Sequence, residues 1–358
     1  MVRYFGYACM HIAKKLTTSH TLRLNNFSYD LWIQKCILNL EHLYKMLVDC
    51  HENKLSIFRI GSGVIPFAAH QITQNYKWQT IFQEQFKFIA NYIKQTKIRI
   101  TMHPDHFVVL NSLSQDIYEK SVNDLLYHAD LMDLLELDTT CKMQVHTGGV
   151  YGDKLTSMNR WIERYHTLPH NIKRRLVLEN DDRVFSFQDV MYISNNTGVP
   201  ILFDTLHHEC LNTDNSSHQT AFQTAIQTWK PQDGIPLIDY SSQQPGSKLG
   251  KHTDSIDLVH FIKMRALLDS VNPEYDIILE IKDKEISAYK LKTFLIEYKN
   301  WAFNEISIKL SSDSIASVSW KSFDWTQNTF GYFLSKEEQL YIVEVLYNKD
   351  SNQIIPPI

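Results

Sequence analysis

A chain of 358 residues, 44% hydrophobic with only 10 Pro and 11 Gly, is long enough for one large globular domain plus an extension and is neither fibrous nor disordered in composition. A net charge of −4 lacks the basic excess usual in nucleic-acid-binding domains, although a face loaded with divalent ions would differ in sign from the total. The five cysteines, Cys9, Cys36, Cys50, Cys141 and Cys210, are odd in number and form no CxxC pair, which fits reduced thiols better than a secreted disulfide framework, and no bridge is expected. The amino end shows no signal peptide, and no apolar run approaches the ~18 residues of a membrane span, so a cytoplasmic protein with no membrane partner is expected.

Eight short apolar or β-branched runs follow one another, at 2–7, 55–60, 98–103, 142–146, 176–178, 199–203, 236–240 and 276–280. Between them lie segments of helical spacing. The spacing predicts helices over 29–50, 78–94, 116–138 and 256–270, with a last one over 288–301; in the third, Val122, Leu125, Leu126, Ala129, Met132 and Leu135 line one face. The run that ends in Glu179 and the run that ends in Asp204 flank a further helix. Its start is marked by Ser186 with Asp189 three residues on, and its end by Gly198 and Pro200. A connection of that length between two buried strands implies a parallel pair joined by a crossover helix. Eight such units over about 285 residues predict an α/β fold, a closed (β/α)8 TIM barrel over 1–303, with an open doubly wound sheet as the alternative. Residues 304–358, with a helical pattern at 337–346, form the expected C-terminal extension packed on that barrel.

In parallel barrels ligands gather at the carboxyl ends of the strands. There the sequence places His103, His146, Glu179, Asp204, Asp239 and Glu280, one for each of six consecutive strands, with His207 and His252 in the loops just beyond. Each residue alone has an ordinary explanation: Glu179 could pair with Arg183, Asp204 could cap a helix, Asp239 could belong to a turn. Together, eight such groups at one rim would repel and desolvate one another, and divalent cations are the natural compensation. Mixed imidazole and carboxylate donors suit zinc, manganese or iron better than magnesium or calcium. His208, His166, His170 and His128 read as ordinary surface or helix residues.

Several runs carry a resemblance to a known family: FGYAC and TLRL near the amino end, FRIGSGVIPFAAH, MHPDHFVVLNS, VHTGGVYGDK, LVLENDDR, GVPILFDTLHH, DYSSQQPG and LEIKDKE. With them, residues from about 3 to 285 resemble the UV damage endonucleases, metal-containing repair barrels. The resemblance implies a DNA repair endonuclease acting on double-stranded DNA that contains UV lesions. It would nick 5′ to pyrimidine dimers and 6-4 products, and at abasic sites, by metal-activated hydrolysis that leaves a 3′-hydroxyl and a 5′-phosphate. It also implies two or three ions, manganese first, with zinc, magnesium or cobalt as substitutes. His103, His146 and Glu179 would hold one ion; Glu179 would bridge to a second on Asp204, Asp239 and Glu280; His207 and His252 would serve a third. By the same resemblance His70 and Glu179 are catalytic; Tyr7, His106 and Phe107, expected on loops at the barrel mouth, are the aromatic wedge candidates for the lesion, and Lys251 is among the basic residues expected to meet the DNA backbone. No obligate protein partner is expected.

Three positions depart from the family pattern. Asp239 stands where some relatives have histidine. Leu237 replaces a lysine that some of them carry. His106 precedes Phe107 where glutamine is common, so stacking survives and an amide hydrogen bond does not. A metal-dependent sugar isomerase of the same barrel type is the alternative enzyme class, and lesion-dependent nicking separates the two.

Overall fold

The structure, a computed structural model, describes residues 2–271, 274–301, 305–309 and 315–319. Eight parallel strands close into a barrel: β1 Val2–Ala8, β2 Ile57–Ile60, β3 Arg99–Met102, β4 Met143–His146, β5 Leu176–Glu179, β6 Ile201–Asp204, β7 Leu237–Tyr240 and β8 Tyr275–Leu279. Each strand pairs with its neighbours in sequence, and β8 closes on β1 through Ile277 opposite Phe5. Helices alternate with strands throughout, so the TIM-barrel expectation holds.

Because side chains alternate across a strand, each run divides between two environments. Phe58, Ile60, Ile100, Met102, Val145, Leu178, Phe203, Ile238, Ile277 and Leu279 belong to the main core between the strands and the helices. Their neighbours Ala8, Ile57, Val177, Leu202, Leu237 and Ile278 form a separate apolar layer, which fills the inside of the barrel. Both sets are almost wholly excluded from water. Below the inner layer, toward the amino ends of the strands, lies a charged floor: Asp276 receives Nη1 of Arg99 at 2.7 Å and Nε of Arg3 at 2.9 Å, and Lys142 reaches Asp233 at 2.6 Å. Above the inner layer come Arg59, Gln144, Glu179, Asp204, Asp239 and, one residue past β8, Glu280. The barrel thus isolates its functional end from its foundation by a sheet of hydrocarbon.

One glycine is dictated by the closure. A Cβ on Gly6 of β1 would stand 1.8 Å from the carbonyl oxygen of Ile57 in β2, closer than any side chain tolerates. Local signals set the helix ends as expected. Ser28 accepts from the N–H of Leu31 to start the helix Tyr29–Glu52, Ser186 and Asp189 form the capping box of Phe187–Thr197, and Gly198 ends that helix at φ 75°.

The expected helix over 78–94 differs. It is two pieces, Trp78–Ile81 and Gln83–Thr96, because Phe82 leaves the helical track (φ −106°, ψ 18°) to bury its ring against Trp32. Two strands stop one residue short of expectation, leaving His103 and Glu280 as the first residues beyond β3 and β8. The last helix begins earlier, spanning Glu285–Trp301. The cysteines Cys9, Cys36, Cys50, Cys141 and Cys210 are free thiols. Beyond the barrel, strands Glu305–Lys309 and Ile315–Ser319 form an antiparallel pair; the helical pattern at 337–346 lies outside the described residues. Among the described residues no helix is long and apolar enough to cross a membrane.

Candidate metal centre at the barrel mouth

Register brings the acids and imidazoles together. His146 pairs with Glu179 across β4 and β5, and Asp204 with Asp239 across β6 and β7. Three overlapping groups result, each with ligand atoms within 4.8 Å of one another: His103, His146 and Glu179; Glu179, Asp204 and His207; Asp204, Asp239 and Glu280. Glu179 lies at the junction of the first two. Its Oε2 is 3.3 Å from His103 Nε2 and 3.5 Å from His146 Nε2, and its Oε1 is 3.2 Å from His207 Nδ1. His252 lies on the same rim, its ring 6.0 Å from that of His207, but it joins no three-ligand group among the described residues. His207 thus groups with Glu179 and Asp204 rather than pairing with His252 alone.

Backbone carbonyls orient three of the imidazoles. Nδ1 of His103 faces the carbonyl of Pro104 at 2.9 Å, Nδ1 of His207 that of Asn180 at 2.9 Å, and Nδ1 of His252 that of Glu280 at 2.6 Å. A carbonyl only accepts, so each Nδ1 donates and Nε2 is the nitrogen left to face a metal, as in metal-ligating histidines. His70 shows the opposite arrangement: its Nδ1 accepts from the N–H of Ile72 at 3.1 Å, which leaves the proton on Nε2 when the ring is neutral.

The electrostatics show what the cluster lacks. Glu179 Oε1, Asp204 Oδ2 and His146 Nδ1 are buried with no hydrogen-bond partner, which is costly for groups of this polarity. Burial pushes the Asp204 carboxyl up to about 6 and the Asp239 carboxyl well above the usual range, the latter despite the opposing pull of Arg59. Burial also acts to raise Glu179, but His146, His103 and His207 outweigh it and hold that group well below the usual range. Glu280 is likewise held down, at about 2, because Arg59 overcomes its burial. Burial disfavours a charged His207, yet Asp204 and Glu179 draw it up to about 12. Protons therefore do the work of a missing positive charge, and orphaned lone pairs converge on common points. The residues present fit divalent ions held by nitrogen and oxygen donors.

The other expected site residues divide. His106 and Phe107 are exposed beside the centre, Phe107 at 56%. An open cleft of about 370 Å³ there is lined by His103, His106, His146, Asp181, Arg183 and His207. Lys251 is half-buried in the loop that leads to His252. His70 is exposed, its ring 5.7 Å from that of Phe67. Tyr7 is a correction: it lies within β1, fully buried, with its ring 5.2 Å from Phe58. Alternation explains this, since Gly6 and Ala8 face the barrel interior and Tyr7 therefore faces the helices; it cannot wedge into DNA. Leu237, at the departure from the family pattern, fills the apolar layer below.

Two residues of the centre were not among those expected. Arg59, 1% exposed, donates to Asp239 at 2.5 Å and to Glu280, and Gln144 donates to Glu179 at 2.7 Å and Asp239 at 2.6 Å. The available signal was a charged and an amide residue inside otherwise apolar strands, which must find partners when buried.

Comparison with known proteins agrees with the geometry. A family model described as UV-endonuclease UvdE matches residues 3–309. A UV DNA damage endonuclease of Clostridium perfringens is 37% identical over 286 residues, spanning 80% of this chain and 69% of that enzyme. A putative UV-damage endonuclease of Acanthamoeba polyphaga mimivirus is 30% identical over 82% of this chain and 92% of its own length. The crystal structure of SacUVDE superposes with a TM-score of 0.77 at 37% identity, covering 83% of this chain and 99% of that one. The chain therefore belongs to the UV-endonuclease UvdE family, the endonucleases of UV-damage repair.

Proposed function

We propose that the protein incises double-stranded DNA on the 5′ side of pyrimidine dimers and 6-4 products, and at abasic sites, by metal-assisted hydrolysis that leaves a 3′-hydroxyl and a 5′-phosphate. The observation that carries this reading is the set of overlapping ligand groups on Glu179 and Asp204 at the edge of an open cleft. Divalent ions bound there, manganese among them, would activate water and neutralise charge on the phosphate. His103, His146, Glu179, Asp204, His207, Asp239 and Glu280 would hold them, with His252 at the rim.

The remaining roles fall to the chain itself. His70, with its proton assigned to Nε2, has a donor to offer a phosphate oxygen. His106 and the exposed ring of Phe107 stand where an unstacked lesion would meet protein; distorted steps open at less cost than intact ones, so a wedge selects damage without reading its hydrogen bonds. Lys251 supplies charge toward the backbone.

The test is an irradiated supercoiled plasmid incubated with protein and Mn2+. Nicking confined to irradiated plasmid, with 3′ ends that a polymerase extends directly, is the expected result. Glu179→Ala abolishes nicking and lowers bound metal. Equal nicking of undamaged plasmid, or none under any divalent ion, overturns the reading.

A further inference from the structure

Four carboxylates, Glu179, Asp204, Asp239 and Glu280, converge above the inner apolar layer, and one buried cation stands among them. Arg59 rises from β2, where its register partners are Ala8 of β1 and Thr101 of β3, so neither adjoining strand offers it an acid. Its guanidinium instead reaches across the barrel to two acids of other strands, giving Nη2 to Asp239 Oδ1 at 2.5 Å and Nη1 to Glu280 Oε1. Nη2 also donates to Oε1 of Gln144. The amide of Gln144 then donates to Asp239 Oδ2 at 2.6 Å and to Glu179 Oε2 at 2.7 Å. Both oxygens of Asp239 are therefore engaged by protein donors, whereas Asp204 Oδ2 and Glu179 Oε1 make no hydrogen bond, the latter facing only the His207 imidazole at 3.2 Å.

The three ligand groups are thus unequal. The group of His103, His146 and Glu179 contains no resident cation, and the group of Asp204, Asp239 and Glu280 contains one bonded to two of its three members. A divalent ion entering the second group meets carboxylates whose charge is already partly neutralised, and it is repelled by the guanidinium. We propose that Arg59 is a positioning residue acting as a fixed internal cation of the metal centre: it competes with a divalent ion for Asp239 and Glu280, making the Asp204, Asp239 and Glu280 group a weak, exchangeable site beside a tight site at His103, His146 and Glu179. The inference rests on the metal-centre reading above.

The test is a Mn2+ titration of the full chain followed by the electron paramagnetic resonance of free aqueous Mn2+, a measurement independent of turnover. The unsubstituted protein shows a tight and a weak class of sites. Arg59→Met removes the competing charge and tightens the weak class by about tenfold or more, with the tight class little changed. Arg59→Lys replaces Arg59→Met where loss of the buried pair prevents folding; lysine lacks the fork, holds one carboxylate only, and tightens the weak class by about threefold. An isotherm of either folded variant with both classes unchanged, or with the weak class weakened, overturns the proposal alone. Absence of any Mn2+ binding to the unsubstituted protein overturns the metal-centre reading, and the proposal with it.

Discussion

Replacing Asp204 by Asn stabilises the metal-free protein and removes most of the stability that bound metal adds. The carboxyl is fully buried, and burial raises it from 3.8 to about 6, so keeping it ionised without metal costs on the order of 3 kcal/mol. Asparagine caps a helix about as well as aspartate, so the bond that Asp204 Oδ1 accepts from the N–H of His207 at 2.7 Å survives. Loss of the carboxylate facing His207 takes back part of the gain, leaving about 1–3 kcal/mol, or roughly 2–6 °C at about 2 °C per kcal/mol. The sign with pH follows from the raised value. Between 3.8 and about 6 the folded state binds the extra proton, so the native protein loses stability as pH rises through that window and stays penalised above it. The advantage of the Asn variant is therefore absent near pH 4 and complete by about pH 7. With Mn2+ at a hundredfold excess over its dissociation constant the native protein gains about 2.7 kcal/mol, which the variant forfeits in large part because Asp204 belongs to two of the three ligand groups. Thermal unfolding of both proteins in EDTA and in Mn2+, at pH 4 and at pH 7.5, measures each difference. A variant less stable than the native protein in EDTA at pH 7.5, or stabilised equally by Mn2+, refutes the reasoning.

Metal binding also expels protons. Loading at pH 7.5 releases protons from His207 and from the raised carboxyl of Asp239, and more near pH 5, where Asp204 contributes; calorimetric titration in buffers of different ionisation enthalpy counts them, and zero release contradicts the assignment. Gly6→Ala forces β1 from β2 and costs about 3 kcal/mol or more in chemical denaturation; an unchanged midpoint would contradict the contact with Ile57. Tyr7→Ala lowers stability by about 3–5 kcal/mol as a core truncation, whereas Phe107→Ala leaves stability within about 0.5 kcal/mol and reduces the preference for irradiated duplex in a binding assay.

Much of the molecule was legible in its sequence for a simple reason. A strand buried on both faces reads as an apolar run, and the point where it surfaces is marked by the first polar residue, which in this barrel is also a site residue. Glu179 and Asp204 announce both the end of a strand and the mouth of the barrel. What the sequence hid depends on partners distant in the chain. Arg59 lies within Ile57–Ile60, 180 residues from Asp239, and only closure of the barrel shows that an interior arginine has acids to meet. Tyr7 looked like a loop aromatic because β1 ends near it; alternation with Gly6 and Ala8 assigns it to the helix side. Phe82 broke a helix whose periodicity was sound, since burial of one ring beside Trp32 outweighed a turn of helix.

The charged floor of the barrel has a consequence for where metal can add stability. Arg3, Arg99 and Asp276, with Lys142 and Asp233, are satisfied by one another and by neighbouring backbone groups, while the opposite rim stays electrically incomplete behind its hydrocarbon partition. The lower half of the barrel thus carries its own charge balance into the folded state, and the stability that a divalent ion could add is confined to the opposite rim.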